Sequence, residues 1–161
     1  MPDSQVGRPL PVFRFALLIS TWATNLAWGQ ASQPLAVITH PSTSVSDLSL
    51  EELRRLYLGT TTTLANQVRV VLVESGDQRV RFYSEALGMS EERFKRHWIA
   101  RAFAGEPGTP PEEIREPAEL LRYVGRHPGA VGFIPANHVD GSVKLLTIET
   151  LRPSDPRYPL P

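Results

Sequence analysis

The residues best placed to do chemistry are Glu74-Ser75-Gly76-Asp77-Gln78-Arg79, which follow directly on the apolar run Val68 to Val73 and open a helical pattern. A strand that ends on a Ser-Gly turn at a helix start gathers backbone N–H groups, and these can hold an anion without a dedicated positive charge. Ser75 adds a hydroxyl and Arg79 a guanidinium, while Glu74 and Asp77 oppose negative charge. The same residues also suit ordinary helix capping, by Ser75 or by Asp77. Thr39 and His40 close an earlier apolar run, and Ala136 to His138 follow a later one. In open α/β sheets ligands gather at the C-terminal ends of strands. The candidate ligand-binding set is therefore Ser75, Gly76, Asp77, Gln78, Arg79, Thr39 and His40.

Other chemistry finds little support. His40, His97, His127 and His138 lack metal-ligand spacing, and Ser75 stands in no G-x-S-x-G elbow. The acid pairs Glu51-Glu52, Glu91-Glu92 and Glu112-Glu113 suit the first turns of helices, where the macrodipole favours them. No catalytic residue, metal or cofactor is expected.

These positions need elements to hold them. LAVITH (Leu35 to His40) reads as a buried strand closed by Pro41. In LSLEELRRLYLG, Ser49 and Glu52 make a capping box, with Leu48 and Leu53 at the staple positions. The spacing predicts a helix over 49–58, ended by Gly59, with Leu50, Leu53, Leu56 and Tyr57 on its apolar face. Val68 to Val73 is the next strand, and strand, helix, strand reads as a βαβ unit. A helix marked by Val80, Phe82, Tyr83, Ala86 and Leu87 runs to Gly88, and Ser90 caps another whose stripe is Phe94, Trp98, Ile99, Ala102 and Phe103. That stripe reads as core packing. After the Pro-rich connector 106–117, Pro117 opens a short helix. Ala130 to Pro135 and Val143 to Ile148 are two further strands. Residues 151–161 form a Pro-rich tail, read as extended or disordered because proline denies it helix and sheet bonding.

The chain has 161 residues, 17 basic and 17 acidic side chains, and no cysteine. The even balance gives no electrostatic pull toward nucleic acid or anionic membrane. Arg8 and Arg14 precede the apolar run FALLISTWATNLAWG, which ends in small residues and reads as a signal peptide over 1–31, cut near Ala31. The run is short and polar for a span of about 20 residues, so no membrane span is expected after cleavage. Residues 32–150 then make one lobe, stabilised by a packed core without disulfides.

The order LSLEELRRLYLG, strand, Ser-Gly helix start, Trp98 to Gly105 as W-x-x-x-x-F-x-G, then PGAVGFIP and VDGSVKLL resembles the periplasmic phosphate-binding protein family, in a short single-lobe form, over about Leu35 to Ile148. The resemblance implies an α/β fold: one lobe of the type 2 periplasmic-binding-protein fold, a small mixed sheet flanked by helices. In that family a Gly-Ser-Gly-Thr type turn binds phosphate through hydroxyls and backbone N–H groups, with an arginine just before it. The matching positions here are Glu74 to Asp77, where Asp77 replaces the threonine and Val73 and Glu74 stand where the arginine would be. The implied function is a secreted, periplasmic, non-catalytic binding protein with weak affinity for phosphate or another small oxyanion, and a membrane transporter or other periplasmic protein as partner. The second reading is an interaction or sensor module that has lost ligand binding.

Overall fold

The computed structural model of the protein describes residues 33–64 and 67–161. The leader reading falls on 1–31, outside the described residues. The elements are β1 (Leu35–Thr39), β2 (Asp47–Leu48), α1 (Leu50–Tyr57), β3 (Val71–Ser75), α2 (Arg79–Phe82) continued by a π-turn (Tyr83–Leu87), α3 (Glu91–Phe103), β4 (Glu112–Ile114), α4 (Pro117–Arg126), β5 (Ala130–Pro135), a 3₁₀ turn (Ala136–His138) and β6 (Lys144–Ile148). It is a mixed α/β structure built on one six-stranded sheet of order β2-β6-β1-β5-β3-β4.

β1 is antiparallel to both its neighbours, β5 and β6, whereas β2 runs parallel to β6, and β3 runs parallel to both β5 and β4. Five strands thus point one way and β1 the other. This corrects the βαβ reading: β5 lies between β1 and β3, and β1 runs opposite to β3. Helix α1 does pack toward β3, as its apolar face requires, since the Tyr57 hydroxyl donates to the Val73 carbonyl at 3.0 Å. Nothing local in a strand-helix-strand run fixes which strand later enters between the two.

Both faces of the sheet are buried, and the period of two along β1 and β5 divides the core. Leu35, Val37, Val131 and Phe133 join Leu53, Leu56, Tyr57, Phe82 and Phe94 on the face covered by α1 to α3. Ile38, Ala130 and Ile134 join Val73, Leu120 and Val124 on the face covered by α4. Continuous apolar strands are what a sheet covered on both faces demands. Gly132 permits the close approach of α4, because a Cβ there would lie 2.7 Å from Val73 and 3.3 Å from Leu120.

The capping box forms: Glu52 N–H donates to the Ser49 hydroxyl at 3.1 Å, and Ser49 N–H to the Glu52 carboxylate at 2.8 Å. Ser90 caps α3 and Pro117 opens α4, as their sequences direct. Four expectations need correction. The start of α2 carries no side-chain cap from Ser75 or Asp77; its N-cap is Gln78, without a side-chain hydrogen bond. Val80 is exposed, and so are Ile99, Ala102 and Phe103, the last 90% accessible; Phe94 and Trp98 alone of the α3 stripe are buried. The acid pair Glu112-Glu113 opens no helix but forms edge strand β4 within the Pro-rich connector. The tail has no strand or helix, yet it is packed: Leu160 is fully buried, its carbonyl accepts Leu35 N–H at 2.9 Å, and Tyr158 joins the core.

Candidate ligand-binding site

The strand directions divide the sequence-predicted set. Ser75 ends β3 alongside the end of β4, Gly76 to Arg79 follow it, and Ala136 to His138 follow β5 at the same edge of the sheet. Thr39 and His40 lie at the opposite edge, because β1 is the reversed strand: Thr39 pairs with Val131 and Lys144, at the starts of β5 and β6. There the Thr39 hydroxyl donates to the Ala130 carbonyl at 2.8 Å, and His40 Nδ1 holds the Ser42 hydroxyl at 2.7 Å in its own turn. These two residues therefore do not share a site with Ser75 to Arg79.

At the β3 end, several of the groups that an anion would use are engaged internally. Ser75 is buried as the last residue of the strand, paired with Ile114. Gly76 N–H donates to the Ile114 carbonyl at 3.3 Å, and Gln78 N–H closes the turn on the Ser75 carbonyl at 3.0 Å. Asp77 is exposed. Over the glycine lies Glu113: a Cβ on Gly76 would meet its Oε1 at 2.9 Å and the Arg115 side chain at 3.2 Å. A side chain at Gly76 would therefore displace the Glu113 carboxylate.

Arg79 is held by two carboxylates. Its Nε reaches Glu91 at 3.1 Å, and its Nη1 forms a close ion pair with Glu113. Glu91 also takes Lys95 at 2.7 Å, and Glu113 takes Arg115 at 3.1 Å. Burial works against the Arg79 charge, but Glu113, Glu91 and Glu74 outweigh it and raise its pKa above the ordinary arginine value. Arg115 and Arg79 hold Glu113 below the usual carboxylate range, while Lys95 and then Arg79 do the same for Glu91.

Glu74 behaves oppositely. It is 7% exposed, and its carboxylate accepts a close hydrogen bond from the Tyr83 hydroxyl. Burial pushes its pKa up, against the pull of Tyr83 and Arg79, and Glu113 and Glu91 push it further. Burial and then the Glu74 hydrogen bond push the Tyr83 phenol well above its ordinary range. Tyr83 begins the π-turn and stacks on Phe94 with centroids 4.1 Å apart, so α2 and α3 together fix its ring. Phe94 in turn meets Trp98 edge-on at 6.5 Å.

Beside this cluster a cavity of about 350 Å³ opens between α3 and the Pro110–Pro111 segment, lined by Glu74, Arg79, Tyr83, Phe94, Trp98 and Glu113 among others. Sequence reading missed Tyr83, Glu91 and Glu113 as site residues. Glu113 carried no signal, since three residues of edge strand inside a proline-rich connector are below what periodicity can register. Among the described residues no group of His, Asp and Glu is arranged to hold a metal ion, and no helix is long and apolar enough to cross a membrane.

A six-stranded mixed sheet with helices on both faces, and a polar cluster at its strand ends, is an architecture this chain shares with part of several solved proteins. The solved structures it resembles are phosphate-transport binding proteins. An ABC-type phosphate transport receptor from Vibrio cholerae shares 22% identity and a TM-score of 0.61, over 76% of this chain and 48% of that one. A putative phosphate ABC transporter substrate-binding protein with bound phosphate, from Clostridium perfringens, gives 22% and 0.61, over 74% and 46%. The PstS protein of Borrelia burgdorferi gives 13% and 0.59, over 76% and 49%. The chain thus spans just under half the length of these three proteins, and the likeness is one of fold. No protein-family model matches the sequence, and no curated protein matches it.

Proposed function

We propose that the chain is a non-catalytic, exported lobe of the phosphate-binding-protein type that has given up oxyanion binding at its Ser75–Arg79 turn and serves as an interaction or sensor module in the periplasm. One observation carries this reading: Glu113 lies over Gly76 and, with Glu91, takes the guanidinium of Arg79. Carboxylates of the protein stand where an oxyanion would need the arginine, and Gly76 N–H is committed to β4. The neighbours' binding of phosphate supports the origin of the site, not its present ligand.

Calorimetric titration with phosphate tests the reading. The wild-type protein is expected to give no binding heat. Glu113→Gln combined with Asp77→Thr removes two charges and restores a hydroxyl, and is expected to create measurable phosphate binding, weakened by Arg79→Ala in the same background. Phosphate binding by the wild type would sink the proposal. Export predicts a mature chain beginning near Ser32, to be checked by mass spectrometry of the periplasmic fraction; full-length protein in the cytoplasm is the contrary result.

A further inference from the structure

The cavity beside the turn has a charge pattern that its fold alone does not require. Its walls carry three carboxylates, Glu74, Glu91 and Glu113, and two cations, Arg79 and Lys95. The cations are matched, Arg79 by Glu91 and Glu113 and Lys95 by Glu91. Glu74 remains as the carboxylate without a cationic partner. Tyr83 supplies the hydrogen bond to its Oε2, and among the described residues its other oxygen has no donor. Around it the wall is apolar, formed by Phe94, Trp98, Ile99, Pro110 and Pro111. A volume of about 350 Å³ suits a small organic molecule.

We propose that this cavity binds a small organic ammonium ion, its N–H groups on the Glu74 carboxylate and its hydrocarbon body against Phe94, Trp98 and Ile99. The inference rests on the reading that the neighbouring turn does not take phosphate. An added anion would face a surplus of carboxylates whose cations are already paired. A neutral apolar guest would fill the cavity but either hold Glu74 in its protonated form or leave its carboxylate buried without a counter-charge, which is costly. An ammonium group supplies a charge-assisted hydrogen bond, and its alkyl chain covers the aromatic wall.

The step balances as one proton exchange: the protonated Glu74 carboxyl gives its proton to solvent as the ammonium ion takes its place beside the carboxylate. Burial favours the protonated form of Glu74, so affinity should rise with pH through the range where that proton leaves, then level off. The charged and titratable groups facing Glu74 are Tyr57 from α1, Arg79 from α2, Tyr83 from the π-turn, Glu91 from α3 and Glu113 from β4. Both tyrosines titrate far above this range, and Glu91 and Glu113, held below the usual carboxylate value, are already ionised within it.

Titration calorimetry with hexylammonium chloride, 1-hexanol and inorganic phosphate, on the full chain and on Glu74→Gln, tests this at several pH values in two buffers of different ionisation enthalpy. Hexylammonium is expected to bind, with 1-hexanol and the Gln variant each weaker by about tenfold or more, and, at pH values where Glu74 still holds its proton, with a heat that depends on the buffer because that proton is released. Equal binding of hexanol, unchanged binding by the variant, or no binding of hexylammonium overturns the proposal. If the variant fails to fold, the wild-type protein decides alone, since binding of 1-hexanol as tight as that of hexylammonium is incompatible with it. Phosphate binding to the wild type would instead overturn the reading beneath it, whereas silence toward both phosphate and hexylammonium overturns only the ammonium site.

Discussion

Glu74 and its neighbours divide the acid titration of this protein into two windows. Glu74 has a folded-state pKa raised above its ordinary value of 4.5, so the native state keeps a proton that the unfolded chain releases. Its contribution to stability is complete below 4.5 and is lost as pH rises through the folded value. Glu91 and Glu113 are depressed below 4.5, so their contribution is present above 4.5 and is lost as pH falls through their folded values. Denaturant melts of Glu74→Gln at stepped pH should therefore show a flatter loss of stability above 4.5, with acid destabilisation below it retained. An unchanged slope above 4.5 would mean that another group titrates there. Of this cluster, Glu74 and Arg79 stood out in the sequence because they flank a Ser-Gly turn. The partners that neutralise Arg79 come from α3 and β4, and no spacing rule connects them to it.

Helix α3 shows how far an amphipathic pattern can be read. Its five apolar positions were all expected in the core, yet Phe94 and Trp98 are buried while Ile99 is 56% and Phe103 90% exposed. Its inward contacts run through Phe94, stacked on Tyr83, and Trp98, edge-on to Phe94. Trp98→Ala is expected to cost about 3 to 5 kcal/mol in unfolding free energy, whereas Phe103→Ser should stay within about 0.5 kcal/mol. Chemical denaturation of both variants checks the pair, and a large effect at Phe103 would show that its ring is covered in solution. The contrast with α1 is instructive. There, capping box, staple and apolar face were all legible, because each depends on residues within about two helical turns of one another.

At the scale of the whole molecule, the C-terminal tail is part of the fold. Leu160 is fully buried against the start of β1, with its carbonyl accepting Leu35 N–H. Leu160→Ala should therefore destabilise by about 2 to 5 kcal/mol, measured by thermal and denaturant melts; a neutral result would place the tail outside the cooperative unit. By itself the sequence determined that this is an α/β chain, where the strands at 35–39 and 130–135 lie, how α1, α3 and α4 begin, and which turn carries the polar cluster. Each of those follows from periodicity, capping or turn chemistry, which act within a few residues. The tertiary structure alone decided that β5 enters between β1 and β3, that β1 runs against the other strands, and that Thr39 and His40 stand at the far edge from Ser75. It also brought Glu113 over Gly76. These outcomes depend on pairings between residues tens of positions apart, where strand direction and backbone register, rather than local preference, set which side chains meet.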